Sequence, residues 1–138
     1  RNNKMKKIIL ILTVFLLLIG CQKKMTSKQV VENYFNYINE KNEEGFNNLF
    51  AVPLKPEDTE TLFKGIKEIK IREINVVEKD EHLMEKEEKE DEITYYVDFD
   101  LIYNENNEGI TYNDGGDTRN FYLKKVKGEW KIISIGLL

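Results

Sequence analysis

The segment from residue 93 to residue 103 constrains the fold most, because apolar and polar side chains alternate along its whole length. This period of two is typical of a β-strand with one buried face. The pattern predicts a long strand that packs on other elements through one face and turns the carboxylates of Asp98 and Asp100 outward. The predicted buried face consists of Ile93, Tyr95, Val97, Phe99, Leu101 and Tyr103.

Helical periodicity precedes this strand. Thr26 and Gln29 have the spacing of a capping box, so we expect the first helix to begin there and to end near Asn42. A second, short helix is predicted around Phe46 and is closed by Pro53, and Pro56 suits the first turn of a third helix. The apolar stripe of the first helix is predicted to comprise Val30, Val31, Tyr34, Phe35 and Ile38.

Two further regions are predicted to form strands. Alternation at Ile69 and Ile71 resumes one residue out of step at Ile74 and Val76, which indicates a bulge or a bend. Near the C-terminus, residues 121–126 and 130–135 form a predicted hairpin around a Lys-Gly turn. Its register stays open, because a two-residue turn would place Lys124 opposite Lys131, which is unfavourable.

Helices followed by about four antiparallel strands indicate an α+β fold, in which a bent antiparallel sheet wraps over the N-terminal helices. The segments TSKQVVENYFNYINEKNEEGFNNLF and FYLKKVKGEWKIISIG resemble the opening helices and the closing hairpin of nuclear-transport-factor-2-like (cystatin-like) domains. The resemblance covers most of residues 26–136 and implies a cone whose sheet and helices can enclose a pocket. Some members are isomerases or dehydratases that use Tyr, Asp or His in that pocket, many are catalytically silent, and related domains often pair through the open sheet face.

The N-terminal segment resembles a bacterial lipoprotein signal. Lys6 and Lys7 precede twelve mainly apolar residues, which span only about 18 Å as a helix and therefore fit a secretory signal better than a membrane-spanning helix. The next residues, LIGC, resemble a lipobox, which implies diacylglycerol on the sulfur of Cys21 and cleavage between Gly20 and Cys21. A lone cysteine is otherwise a free thiol, an intermolecular link or a coincidence beside an ordinary signal peptide.

This interpretation divides the chain into three parts. Residues 1–20 are the expected signal peptide, with residues 1–4 upstream of the natural start if Met5 is the first residue. Residues 21–25 form a lipidated tether, and residues 26–138 form the domain. The chain is thus similar to lipoproteins of Gram-positive bacteria, and we expect it at the outer face of the cell membrane, held by the lipid on Cys21.

Charge argues against two classes of partner. The first twenty residues carry four basic and no acidic residues, so the remainder has 17 basic against 25 acidic residues. An acidic body does not suit nucleic acid, whose phosphates need clustered Lys and Arg. Nor does it suit a domain that lies flat on anionic lipid.

The sequence offers no catalytic, cofactor or metal site that can be named. His82 is the only histidine and lies in the acidic stretch 78–92, which is either a solvated loop or a surface for a cation or a basic partner. Residues 104–117 begin like a calcium loop, but Gly115 occupies the position where the bidentate Glu is required. We therefore predict a long hairpin loop in which Asp114, Gly115 and Gly116 supply positive φ. Trp130 is predicted to anchor the last hairpin rather than to stack on a ligand.

The function most consistent with these observations is a non-catalytic binding module at the cell envelope. Its partner would be a protein, a peptide or a small apolar ligand, or a second copy through the polar sheet face around Tyr96. The alternative is a pocket enzyme of isomerase or dehydratase type, with a hydroxyl from Tyr34, Tyr95 or Tyr103 and an Asp carboxylate in the cone. A structural accessory of envelope assembly is a third possibility.

Overall fold

The computed structural model describes residues 23–77, 91–105 and 114–136. In these residues the order is three helices followed by four strands, which confirms the predicted α+β class. The helices are α1 (Ser27–Glu40), α2 (Glu43–Asn48) and α3 (Pro56–Gly65). The strands are β1 (Ile66–Val76), β2 (Glu92–Tyr103), β3 (Gly115–Val126) and β4 (Glu129–Gly136).

Helix α1 begins at the predicted capping box. The Thr26 hydroxyl accepts a hydrogen bond from the Gln29 amide at 3.2 Å, and the Gln29 side chain accepts one from the Thr26 amide at 2.9 Å. The helix ends at Lys41, which adopts the left-handed conformation with φ 57°. The face that it turns to the sheet is the predicted apolar stripe, in which Val30, Val31, Phe35 and Ile38 are buried.

The four strands form one antiparallel sheet in the order β1-β2-β3-β4. Strand β2 covers the predicted segment, and its alternate residues Tyr95, Val97, Phe99 and Leu101 are buried against the helices. The predicted irregularity in β1 is present, because the pairing with β2 shifts between Ile71 and Glu73. The core therefore lies between one face of this sheet and the helices.

The C-terminal hairpin closes through a two-residue turn at Lys127 and Gly128, whose φ angles of 52° and 78° are those of a type I′ turn. This turn places Lys124 opposite Lys131, the pairing that the sequence made look unfavourable. Each lysine has a carboxylate nearby: the Lys124 ammonium lies 3.5 Å from Glu92, and the Lys131 ammonium lies 3.8 Å from Glu129. The neighbouring carboxylates relieve the repulsion.

The prediction that Gly115 and Gly116 supply positive φ in a loop is wrong. Both residues begin β3 and pair with Leu101 and Asp100, and neither has a positive φ. A Cβ atom on Gly116 would lie 2.5 Å from the guanidinium of Arg72, so this glycine makes room for that side chain. The rest of the predicted loop, residues 106–113, and the acidic stretch up to residue 90 lie outside the described residues.

Two polar side chains fasten the helices to the start of β1. The Asn39 amide of α1 donates to the Ile69 carbonyl at 2.8 Å and accepts from the Ile69 amide at 2.9 Å. The Lys41 ammonium donates to the carbonyls of Phe63 and Ile66 at 2.8 and 2.5 Å, and its burial lowers the pKa of Lys41. These bonds fix the first helix and the end of α3 against the edge strand.

Candidate ligand-binding cavity

A cavity of about 370 Å³ lies between helix α3, helix α1 and the helix-facing side of the sheet. Its walls are mainly apolar and include Leu62, Ile66, Ile69, Phe99, Leu101, Phe121 and Ile135. Its polar lining comes from Tyr34, Asp58, Thr61, Tyr103, Asp117 and Arg119. An apolar space with a few polar groups of this kind is typical of a binding site for a small molecule.

An ion pair stands on the cavity wall. Arg119 Nη2 lies 2.6 Å from Asp117 Oδ2, and each side chain is 31% exposed. Both residues belong to β3. Asp117 is four positions and Arg119 is two positions before the buried Phe121, so both share the face of the sheet on which Phe121 lies. A charged pair thus continues the row of core residues along β3 and reaches the cavity.

One nitrogen of this guanidinium has no partner. Arg119 Nη1 is buried, and no hydrogen-bond acceptor for it is found in the described part of the chain. Buried donors in native proteins are nearly always bonded to protein or to ordered water. The guanidinium of this cavity-lining arginine therefore has a buried donor for which an acceptor oxygen is missing.

Tyr34 lies beside the ion pair on helix α1. Its ring packs edge-to-face on Phe35 and Phe121, with centroids 5.2 and 5.0 Å away. Burial raises the pKa of Tyr34 to about 12, although the positive charge of Arg119 acts in the opposite direction. The phenol consequently stays protonated at neutral pH.

Comparison with known protein families identifies the family of this chain. The sequence model of the family described as "Domain of unknown function (DUF4829)" matches residues 28–136. The chain belongs to the DUF4829 family. The matched segment contains all four strands, helices α2 and α3, all of helix α1 except its first residue Ser27, and every residue that lines the cavity. No curated protein gives a significant match to the chain.

The DUF4829 domain brings together only some of the tyrosines considered from the sequence. Tyr34 and Tyr103 line the cavity. Tyr95 is buried elsewhere, with its hydroxyl 2.9 Å from that of Ser27. Trp130 is partly buried at the edge of the core, and the Lys125 ammonium lies 5.2 Å from its ring centroid. Its position agrees with the predicted role as an anchor of the hairpin.

The two aspartates of β2 lie on the opposite face of the DUF4829 sheet, as predicted. Asp98 and Asp100 both pair with the guanidinium of Arg72, at 2.5 and 3.2 Å. Arg72 is the extra residue of the bulge in β1. These carboxylates are therefore held in an ion pair outside the cavity, where they cannot act on its contents.

Asp117 and Arg119 are cavity residues that were not predicted from the sequence. Asp117 falls in the predicted loop 104–117, and the sequence predicts no role for Arg119. The available signal was their parity with Phe121 and Leu123, since alternate positions of a strand share one face. This alternation predicts that the charged pair lies on the same face of the strand as the core residues Phe121 and Leu123.

Two further findings concern the described residues of the DUF4829 domain and the tether before it. In residues 23–77, 91–105 and 114–136, no group of three or more His, Cys, Asp or Glu side chains is arranged to hold a metal ion. Over the same ranges no helix is long and apolar enough to cross a membrane. Gly20, Cys21 and His82 lie outside the described residues.

Proposed function

We propose that this protein is a lipid-anchored, extracytoplasmic binding module whose domain holds a small apolar ligand in the cavity. The observation that carries the proposal is the mainly apolar space of about 370 Å³ between α3 and the sheet. Pockets for small ligands commonly measure roughly 300–1,000 Å³ and carry a few polar groups on apolar walls. The volume and the lining fit that description.

The nuclear-transport-factor-2-like identity of the domain is part of the same proposal. Three helices against one face of an antiparallel sheet, with a cavity between them, agree with the cone that the sequence resemblance implies. The sequence resemblance at both ends of the domain supplies the rest of the support.

A fluorescent apolar probe tests ligand binding. We expect phenylnaphthylamine, which brightens in apolar surroundings, to bind the full chain. The variant Ile135→Lys, which introduces a charge on the cavity wall, should abolish that binding. The matched control is Ile133→Lys on the same strand, because Ile133 is 50% exposed and does not line this cavity. Equal binding by the two variants, with both shown to be folded, would contradict the proposal.

The proposed anchor rests on the lipobox and is tested separately. Cells that express the parent chain or the variant Cys21→Ala are fed a clickable fatty acid and then fractionated. We expect the parent to be labelled and to remain with the membrane, because acyl chains contribute about 0.8 kcal/mol per buried CH₂. A Cys21→Ala chain that remains in the membrane as firmly as the parent would show that no lipid anchor is needed.

A pocket enzyme of isomerase or dehydratase type is the second candidate, because Tyr34 and Asp117 line the same cavity. Two observations weigh against it. Asp117 is engaged with Arg119, and a phenol with a pKa of about 12 transfers its proton poorly near neutral pH. The test is deuterium exchange next to the carbonyl of a small cyclic ketone in heavy water. Exchange that the parent accelerates and the variant Tyr34→Phe does not would favour the enzyme.

A further inference from the structure

Arg119 supplies the one buried donor on the cavity wall for which the described residues provide no acceptor. Its Nη2 is held by Asp117 at 2.6 Å, whereas its Nη1 is buried without a bond. Leaving a buried charged donor unbonded is costly, so an acceptor oxygen at this point would be recognised strongly.

The charges around the cavity restrict the kind of acceptor. Arg119 is the cationic side chain of the lining, and Asp58 and Asp117 are the anionic ones. Because Asp117 already neutralises the guanidinium, an anionic ligand would meet like charge without a free cation to offset it. An uncharged acceptor meets no such penalty.

We propose that the cavity selects an uncharged, apolar molecule that carries a carbonyl-type oxygen, and that this oxygen accepts a hydrogen bond from Arg119 Nη1. This inference rests on the proposed function, namely that the cavity binds a small apolar ligand. It requires the Arg119 side chain, which is about a third exposed, to turn Nη1 toward the cavity while Nη2 keeps its bond to Asp117.

Three probes that share one fluorophore test whether the full, unmodified chain selects an uncharged ligand with a carbonyl-type oxygen. All are dimethylaminonaphthalenes; the first carries a propionyl ketone, the second a propyl group without oxygen, and the third a carboxylate. The propyl probe is the most apolar, so transfer from water alone would make it bind most tightly. We expect the ketone to bind at least as tightly as the propyl probe, and the carboxylate to bind at least roughly tenfold more weakly than the ketone.

The variant Arg119→Met tests whether the preference for the ketone over the propyl probe comes from the Arg119 donor. We expect the ratio of the ketone affinity to the propyl affinity to fall roughly tenfold or more, the value of a hydrogen bond from a charged donor. The matched control is Arg72→Met, because Arg72 also pairs with aspartate but lies on the opposite face of the sheet. This control should leave the ratio unchanged.

The outcomes separate the two proposals. Tighter binding of the propyl probe or of the carboxylate by the parent would overturn the inference. An unchanged ratio in folded Arg119→Met would do so as well. In either case binding of the propyl probe would still support an apolar cavity, whereas failure of both uncharged probes to bind would overturn the proposed function together with the inference.

Discussion

Asn39 provides the clearest test of how the cavity wall is held in place. Its amide bonds both backbone groups of Ile69 on the edge strand β1, at 2.8 and 2.9 Å, as a neighbouring strand would. Ile69 is only 3% exposed and its side chain lines the cavity. The bond therefore joins helix α1 to the strand that forms part of the cavity wall.

Replacing Asn39 by Ala should lower the free energy of unfolding by about 1.5 kcal/mol. Each hydrogen bond contributes about 1 kcal/mol net, and the better helix propensity of alanine returns about 0.5 kcal/mol. With a urea dependence of about 1–3 kcal/mol per molar, the midpoint of urea unfolding should fall by roughly 0.5–1.5 M. Circular dichroism during a urea titration measures this shift.

The matched control is Asn36→Ala on the same helix. Asn36 makes a single long bond of 3.4 Å, to Asn33 at the exposed surface, so its removal should change the free energy of unfolding by less than about 0.5 kcal/mol. An unchanged midpoint for Asn39→Ala, or an equal loss in the control, would refute the argument that this amide secures β1.

Three further changes have definite expected effects on unfolding. Because burial raises the pKa of Tyr34 to about 12 in the folded chain against about 10 when unfolded, stability is full below pH 10 and is lost as pH rises toward 12. The free energy of unfolding should fall by roughly 1 kcal/mol between about pH 9 and about pH 11, and Tyr34→Phe should remove that part of the loss. Lys127→Asn should stabilise the chain by about 0.5–1 kcal/mol, because asparagine adopts the positive φ of this turn more readily. Gly128→Ala should destabilise the chain by about 1 kcal/mol, because alanine adopts the positive φ of this position less readily than glycine. Urea unfolding measures both turn variants.

The elements that the sequence predicted correctly depend on local patterns. The capping box at Thr26 lies within one turn of helix, and the alternation of residues 93–103 lies within one strand, so neighbouring residues alone determine both. The bulge in β1 was also visible, since it displaces the apolar pattern by one residue. Such features need no knowledge of distant parts of the chain.

The features that the sequence left open depend on contacts between distant residues. The turn at Lys127 and Gly128 fixes the register of the last hairpin, and it tolerates the lysine pair because Glu92, from another strand, stands beside Lys124. Gly116 has the appearance of a turn residue in the sequence. In the structure, a glycine is needed there because a Cβ atom would collide with the guanidinium of Arg72, which is more than forty positions away in the chain. The same misassignment hid the Asp117–Arg119 pair, and with it the polar part of the cavity.

Methyl NMR on the chain with labelled isoleucines tests the central claim, that a small apolar ligand binds between α3 and the sheet. The methyl groups of Ile66, Ile69 and Ile135 line the cavity, whereas Ile102 and Ile133 are exposed and do not. On addition of the ketone probe, we predict that the signals of the first three shift together with one affinity and that those of Ile102 and Ile133 stay in place. Shifts confined to Ile102 and Ile133 would contradict the account, because the ligand would then lie on the outside of the domain.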